Sequence, residues 1–223
     1  MRGVLMRAPD EVDKVLARTV DIRARLEPAR AQLERLRAEY PAEMLASIVD
    51  NVDLAAASLD EAEKALNDAR EIASQPAGRQ GALLDTLAAA NHAVEVSDTN
   101  LNAIEHAEDN IRAAQTNLPS LIDEIRSELR EIDQVKAARS QGARIDVDKL
   151  DAVAAKAQRM LDASGNRAET DPLALYADLT GMDTEIDEAL DRAKGAAGNQ
   201  ARALQLFDQQ MQVATAQIQR AEE

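Results

Sequence analysis

The chain has 223 residues, a net charge of −15 and no cysteine. Its acidity argues against nucleic acid as a partner, because binding to phosphates relies on a basic surface. Two tyrosines and one phenylalanine are the only aromatic residues, so few side chains could stack on bases. The lack of cysteine excludes disulfides, thiolate metal sites and cysteine nucleophiles. Abundant alanine, leucine, glutamate and arginine are typical of long helices that pack closely.

The first third of the chain predicts two helices. Apolar residues recur at alternating spacings of three and four from Val12 to Tyr40, and the same rhythm restarts from Leu45 to Ala73. This heptad pattern is typical of helices that pack side by side at shallow angles. We therefore predict helices over 10–39 and 42–74, separated at "YPAE", with a kink at Pro28 in the first.

The middle of the chain predicts one long, bent helix over 80–139. Pro119 should kink this helix or restart it. Ser97, Glu108 and Gln115 interrupt the apolar rhythm; they could set the helix register, or mark a loosened seam before Pro119, and we favour the second interpretation. The predicted packing seam consists of Leu101, Ile104, Ile111, Leu118, Ile122, Ile125, Leu129 and Ile132.

Three shorter helices are predicted after residue 145, over 146–163, 171–194 and 199–222. Asp146 and Asp171 are the expected N-caps, and Pro172 suits the first helical position. The segments 74–81, 140–145, 164–171 and 195–199 are the expected loops. The seam of the last helix consists of Leu204, Phe207, Met211, Ala214, Ile218 and Ala221.

Short links between helices favour antiparallel neighbours. The sequence therefore predicts an all-α fold, made of elongated antiparallel bundles or coiled coil that share the long central helix. An N-terminal bundle would span 1–117, with the first half of the long helix. A C-terminal bundle would span 118–223, with its second half and the three helices that follow.

Both histidines lie in "NHAVEVSDTNLNAIEHAED", and each precedes an acidic residue by three positions. Glu-x-x-His pairs bind metals in some helical bundles, but those ligands point inward from several helices. The heptad register places His92, His106, Glu95 and Asp109 away from the seam, so we expect ordinary surface. No serine or threonine lies in a motif with a histidine base, and no glycine-rich phosphate loop is present. We predict no catalytic residue, no cofactor and no metal site, and a protein that is not an enzyme.

Several stretches resemble the C-terminal helical region of actinobacterial TPM-domain membrane proteins. They include "SIVDNVDLAAASLDEAEKAL", "NLPSLIDEI" and "DPLALYADLT", and the resemblance extends from about residue 20 to the end. It implies a TPM domain outside the membrane, a single transmembrane helix and a helical tail on the cytoplasmic side. The resemblance implies no catalytic residues in these helices.

The resemblance and the heptads together favour a helical scaffold or protein-interaction module on the cytoplasmic side of the membrane. The protein partner is not identified, and a homodimer is left open. No stretch reaches the ~20 apolar residues that span a bilayer, so contact with a membrane would come only through upstream segments that this chain lacks. The alternative is a self-assembling coiled coil on lipid, for which only "MRGVLMR" offers a basic face.

Overall fold

The computed structural model describes residues 8–76, 78, 80–139 and 145–222, and in the last helix it describes side chains as far as Met211, apart from residues 197 and 200. The predicted all-α fold is confirmed, and these residues include no strand. The helices are α1 (Ala8–Glu39), α2 (Asn51–Ala73), α3 (Leu83–Glu105), α4 (Ala107–Arg139), α5 (Val147–Asp162), α6 (Ser164–Thr170) and α7 (Pro172–Glu222). Within the described part of the chain, no helix combines the length and apolar character needed to cross a membrane.

The chain divides by its internal contacts into two compact units, Met1–Ala113 and Ala114–Glu223, and the boundary falls within α4. In the first unit α1, α2 and α3 pack against one another. Small residues line the α2 face of this core, which lets the backbones of α2 and α3 approach closely. The buried residues of α2 are Val52, Ala55, Leu59, Ala62, Leu66 and Ala69.

Two details differ from the predicted helix over 42–74. Residues Ala42–Leu45 form a 3₁₀ helix, and turns follow before α2 begins at Asn51. Leu45 and Ile48 are nevertheless buried, so the seam positions of this segment reach the core without α-helical geometry. Pro28 lies inside α1, which runs through it as one helix.

The predicted helix over 80–139 is observed as two helices with His106 between them. The backbone of His106 has φ −105° and ψ 13°, outside the α-helical range. Hydrogen bonds still bracket this residue, because its N–H bonds to the Asn102 carbonyl and its own carbonyl accepts from Asn110. Pro119, the expected point of interruption, lies inside the continuous helix α4. Proline removes one amide donor, and α4 accommodates that loss.

The seam around this interruption uses residues that the heptad spacing did not select. Ala107 and Ala114 are buried, whereas Glu108 is half-buried and Gln115 is exposed. At each of these two places, the buried residue is therefore an alanine that lies one position before the polar residue selected by the heptad spacing. Ser97, the third polar seam residue, is buried.

The second unit is built from α5, α6, α7 and the part of α4 that follows Ala113. Asp146 caps α5 by accepting a hydrogen bond from the Lys149 amide, and Asp171 accepts one from the Ala174 amide at the start of α7. Both predicted caps are confirmed. The core of this unit consists of Leu118, Ile125, Ile132, Ile145, Leu150, Ala157, Leu161, Leu175, Leu179, Met182, Ile186, Leu190 and Ala193.

Two of the expected loops are helical. Residues Ser164–Thr170 form α6, where the Ser164 hydroxyl bonds to the Leu161 carbonyl. The segment 195–199 continues α7 without interruption, so the predicted helices over 171–194 and 199–222 are one helix. Neither Gly195 nor Gly198 takes the positive φ that would end a helix. Most of the expected loop over 140–145 lies outside the described residues.

Candidate functional site

The structure buries most of the predicted packing seam. Leu101, Ile104, Ile111, Leu118, Ile125 and Ile132 are buried, whereas Ile122 and Leu129 are half-buried. The first three lie in the N-terminal unit and the others in the C-terminal unit. These residues hold helices together, and their side chains bring no polar chemistry.

The four residues of the histidine motif lie at the surface. His92, Glu95, His106 and Asp109 are all exposed. A helical rise of about 1.5 Å per residue separates the two histidines by roughly 20 Å, which is too far for one ion. Among the described residues, the only group with the geometry to hold a metal is made of carboxylates and includes neither histidine.

This carboxylate cluster lies between α4 and α7. Carboxylate oxygens of Glu124, Glu128 and Asp183 are all within 4.8 Å of one another. Glu124 and Glu128 are four residues apart on α4, which places both on one face of the helix. The two helices run parallel here, because Lys194, further along α7, pairs with Glu131, further along α4. Glu128 is only 9% exposed, although Glu124 is exposed.

Electrostatics make the cluster unfavourable for full ionisation. The pKa of Glu128 is raised to about 8, mainly by burial and also by the nearby carboxylates of Asp183 and Asp187. Oε2 of Glu128 and Oδ1 of Asp183 are buried, and neither has a hydrogen-bond partner within the described part of the chain. Buried polar atoms without a partner are rare in native proteins and call for a structural explanation.

A second unusual feature is the exposed apolar surface of α7 beyond the core. Ala193 is the last residue of α7 that is buried among the side chains described. Leu204, Phe207 and Met211 are 56%, 59% and 52% exposed. These are the first three seam positions predicted for the last helix. The other three, Ala214, Ile218 and Ala221, lie outside the described side chains.

An open groove of about 560 Å³ runs between α5 and the middle of α7. Leu150, Val153, Ala189 and Ala193 give it an apolar floor, and charged residues such as Arg192 stand at its rim. A small-molecule site normally adds a few converging polar groups that orient the ligand. The polar residues of this groove are rim charges, and Glu188 and Arg192 already pair with each other.

Comparison with known proteins finds similarity to a UPF0603 protein of Mycobacterium tuberculosis, in strain CDC 1551 / Oshkosh and in strain H37Rv. Each is 28% identical to this chain over 191 residues, which cover 85% of the chain. The match spans 29% of the length of each relative. No family model matches the chain. No solved structure matches it either.

The sequence analysis missed the carboxylate cluster. The heptad spacing selected Ile125 and Leu129 for the seam of α4 and gave Glu124 and Glu128 no role. The signal that could have revealed them is position: Glu128 lies three residues after Ile125 and four before Ile132, which is a seam spacing. A carboxylate at that spacing is directed toward the core, and it needs a partner there.

Proposed function

We propose that this chain is a non-enzymatic helical interaction module that self-associates through the C-terminal part of α7. The observation that carries this proposal is the exposure of Leu204 and Phe207 on a helix that continues beyond its own core. Packing of an apolar face supplies most of the stability of helices in proteins, so a helical segment without tertiary contacts has little of its own. A partner that covers this face would supply that packing.

The spacing on α7 favours another helix as the partner. Apolar residues at 204, 207, 211, 214, 218 and 221 follow the alternation of three and four that coiled coils use. The segment 199–222 spans just over three heptads, the length at which such a pattern becomes meaningful. We define the surface formed by Leu204, Phe207 and Met211 as the C-terminal face.

Charge favours a second copy of this chain as the occupant. Residues 199–222 contain two arginines, one aspartate and one glutamate, so the segment has no net charge in a chain of −15. Two copies of this segment could therefore meet without the repulsion that other acidic surfaces of the chain would produce. The same neutrality disfavours a lipid surface, since interfacial helices usually carry a face rich in lysine and arginine.

The resemblance to TPM-domain membrane proteins and the partial match to longer relatives support a proposal for where this module works. The chain resembles the helical tail of TPM-domain membrane proteins, and its match spans only 29% of each UPF0603 relative. We propose that it works as the cytoplasmic tail of a single-pass membrane protein. Self-association of such tails would bring the attached domains together, which is a scaffold function.

Sedimentation velocity over a range of chain concentrations tests this proposal. We expect a reversible monomer–dimer equilibrium for the wild type, shifted to monomer by Phe207→Ser. Leu206→Ser is the matched control, because Leu206 is 60% exposed yet falls outside the spacing of three and four that Leu204, Phe207 and Met211 follow. It should leave the equilibrium unchanged. A monomer at every concentration would contradict the proposal, and binding to anionic vesicles by that monomer would favour the lipid alternative.

A further inference from the structure

The carboxylate cluster of Glu124, Glu128 and Asp183 differs from the other acidic residues around it. Glu131 pairs with Lys194, Glu185 with Lys156, and Asp178 with Arg167. No ion pair within the described residues includes a member of the cluster. Among the residues that the structure describes, basic partners therefore occur along this unit but not beside the carboxylate cluster.

Glu128 gives the cluster a buried and unsatisfied ligand atom. The residue is 9% exposed, and its Oε2 atom is buried with no hydrogen-bond partner. The carboxyl groups of Asp183 and Asp187 lie close enough to share a hydrogen bond with Glu128 when it is protonated, and their charges oppose its ionisation. Crowded carboxyl groups in a buried place are stabilised by a shared proton or, when they are ionised, by a cation. Asp183 contributes a second buried oxygen, Oδ1, that lacks a partner.

The separation of these oxygens matches the coordination sphere of a divalent cation. Ca²⁺ binds oxygen ligands at about 2.3–2.6 Å, so two ligands on opposite sides of the ion lie up to about 5 Å apart. The oxygens of the cluster are within 4.8 Å of one another. Carboxylate-only ligands suit a hard cation, whereas transition metals usually take imidazole or thiolate as well.

We propose that Glu124, Glu128 and Asp183 bind one Ca²⁺ ion that bridges α4 and α7. The exposed side of the cluster, at Glu124, would let the ion enter and let water complete its coordination. Asp187 lies beside Glu128 and adds negative charge to the site. The ion removes the repulsion among the carboxylates and fixes the two parallel helices at this level. This site is independent of the C-terminal face, since its residues precede Ala193.

Isothermal titration of the full chain with CaCl₂, after removal of bound metal with EDTA, tests this proposal. We expect one ion per chain, and binding weakened by about tenfold or more in Glu128→Gln. Asp123→Asn is the matched control, because it removes the same charge from α4 at a side chain that is 78% exposed. It should bind Ca²⁺ as the wild type does. A circular dichroism spectrum of each variant establishes that it is folded.

Thermal unfolding provides a second readout for the same variants. CaCl₂ should raise the unfolding midpoint of the wild type and of Asp123→Asn, but not that of Glu128→Gln. NaCl at equal ionic strength should raise it less, since screening alone acts on every acidic surface. The proposal is overturned if no heat of binding is detected, if Glu128→Gln binds as tightly as the wild type, or if NaCl reproduces the full shift.

Discussion

The Ser97 hydroxyl donates a 2.8 Å hydrogen bond to the backbone carbonyl of Ala55 and thereby joins α3 to α2. Ser97 and Ala55 are both fully buried, so the two helices meet closely at this point. The serine satisfies its own polar atom by using a carbonyl across the interface. A polar residue in the seam therefore belongs to the packing and does not loosen it.

Replacement of Ser97 should separate the contribution of its hydrogen bond from that of its small size between α2 and α3. Ser97→Ala removes one hydrogen bond and should lower the free energy of unfolding by about 1 kcal/mol. Ser97→Leu adds volume between close backbones and should lower it by about 1–3 kcal/mol. Thr99→Ala, at an exposed position two residues away, is the control. Chemical denaturation measures all three, and an unchanged midpoint for Ser97→Leu would contradict the close packing described here.

The buried carboxyl of Glu128 should make the metal-free protein more stable near pH 4.5 than near pH 8. The pKa of Glu128 is raised from 4.5 to about 8, mainly by burial and further by Asp183 and Asp187. Between these two values the folded chain holds a proton that the unfolded chain has lost, so stability falls as pH rises through this window. At about 1.4 kcal/mol per pKa unit, the loss should reach a few kcal/mol.

Urea unfolding in EDTA at several pH values measures this dependence. Glu128→Gln should flatten the decline between pH 4.5 and 8, because glutamine has no proton to lose in that range. The other acidic groups near Glu128 are Asp183 and Asp187 on α7 and Glu124 on α4. They are the same in the wild type and in Glu128→Gln, so the comparison isolates the contribution of Glu128. An equally steep decline in the variant would show that Glu128 is not its source.

Glycine substitutions should report whether α7 is continuous. Gly195 is helical, and a Cβ atom added there would meet nothing within 4 Å. Gly195→Ala should therefore stabilise the helix by about 0.5–1 kcal/mol. Gly78→Ala is the contrasting variant, because Gly78 has φ +103°, where alanine is strained. It should destabilise the protein. A loss of stability in Gly195→Ala would indicate a break at "GAAGN" instead of a continuous helix.

Heptad spacing was sufficient to predict the all-α fold, because a seam at threes and fours has one simple structural solution. Spacing could not choose between Glu108 and its neighbour Ala107, since both lie close to the same face and tertiary packing decides which is buried. It also placed a break at "GAAGN", where glycine is compatible with helix as well as with a turn. The carboxylate cluster could not be predicted in this way, because it depends on which helices pack against each other. The sequence of a single helix does not show that.

Charges placed in the two cores should act on different units. Ile104 is fully buried in the first unit and Ile125 in the second. Aspartate at either position buries an unpaired charge and should lower stability by several kcal/mol. We expect Ile104→Asp to reduce hydrogen-exchange protection mainly in α1, α2 and α3, and Ile125→Asp mainly in α5 and α7. Equal loss of protection throughout the chain in either variant would contradict two separate cores.

Self-association through the C-terminal face is tested most directly by hydrogen exchange of the peptide that covers residues 200–211, compared at low and high chain concentration. Covering Leu204 and Phe207 with a second helix should stabilise this part of α7, so protection should increase with concentration in the wild type and in Leu206→Ser. Phe207→Ser should remove that dependence. Protection that is independent of concentration in the wild type would contradict the central claim that two copies of this chain meet at this face.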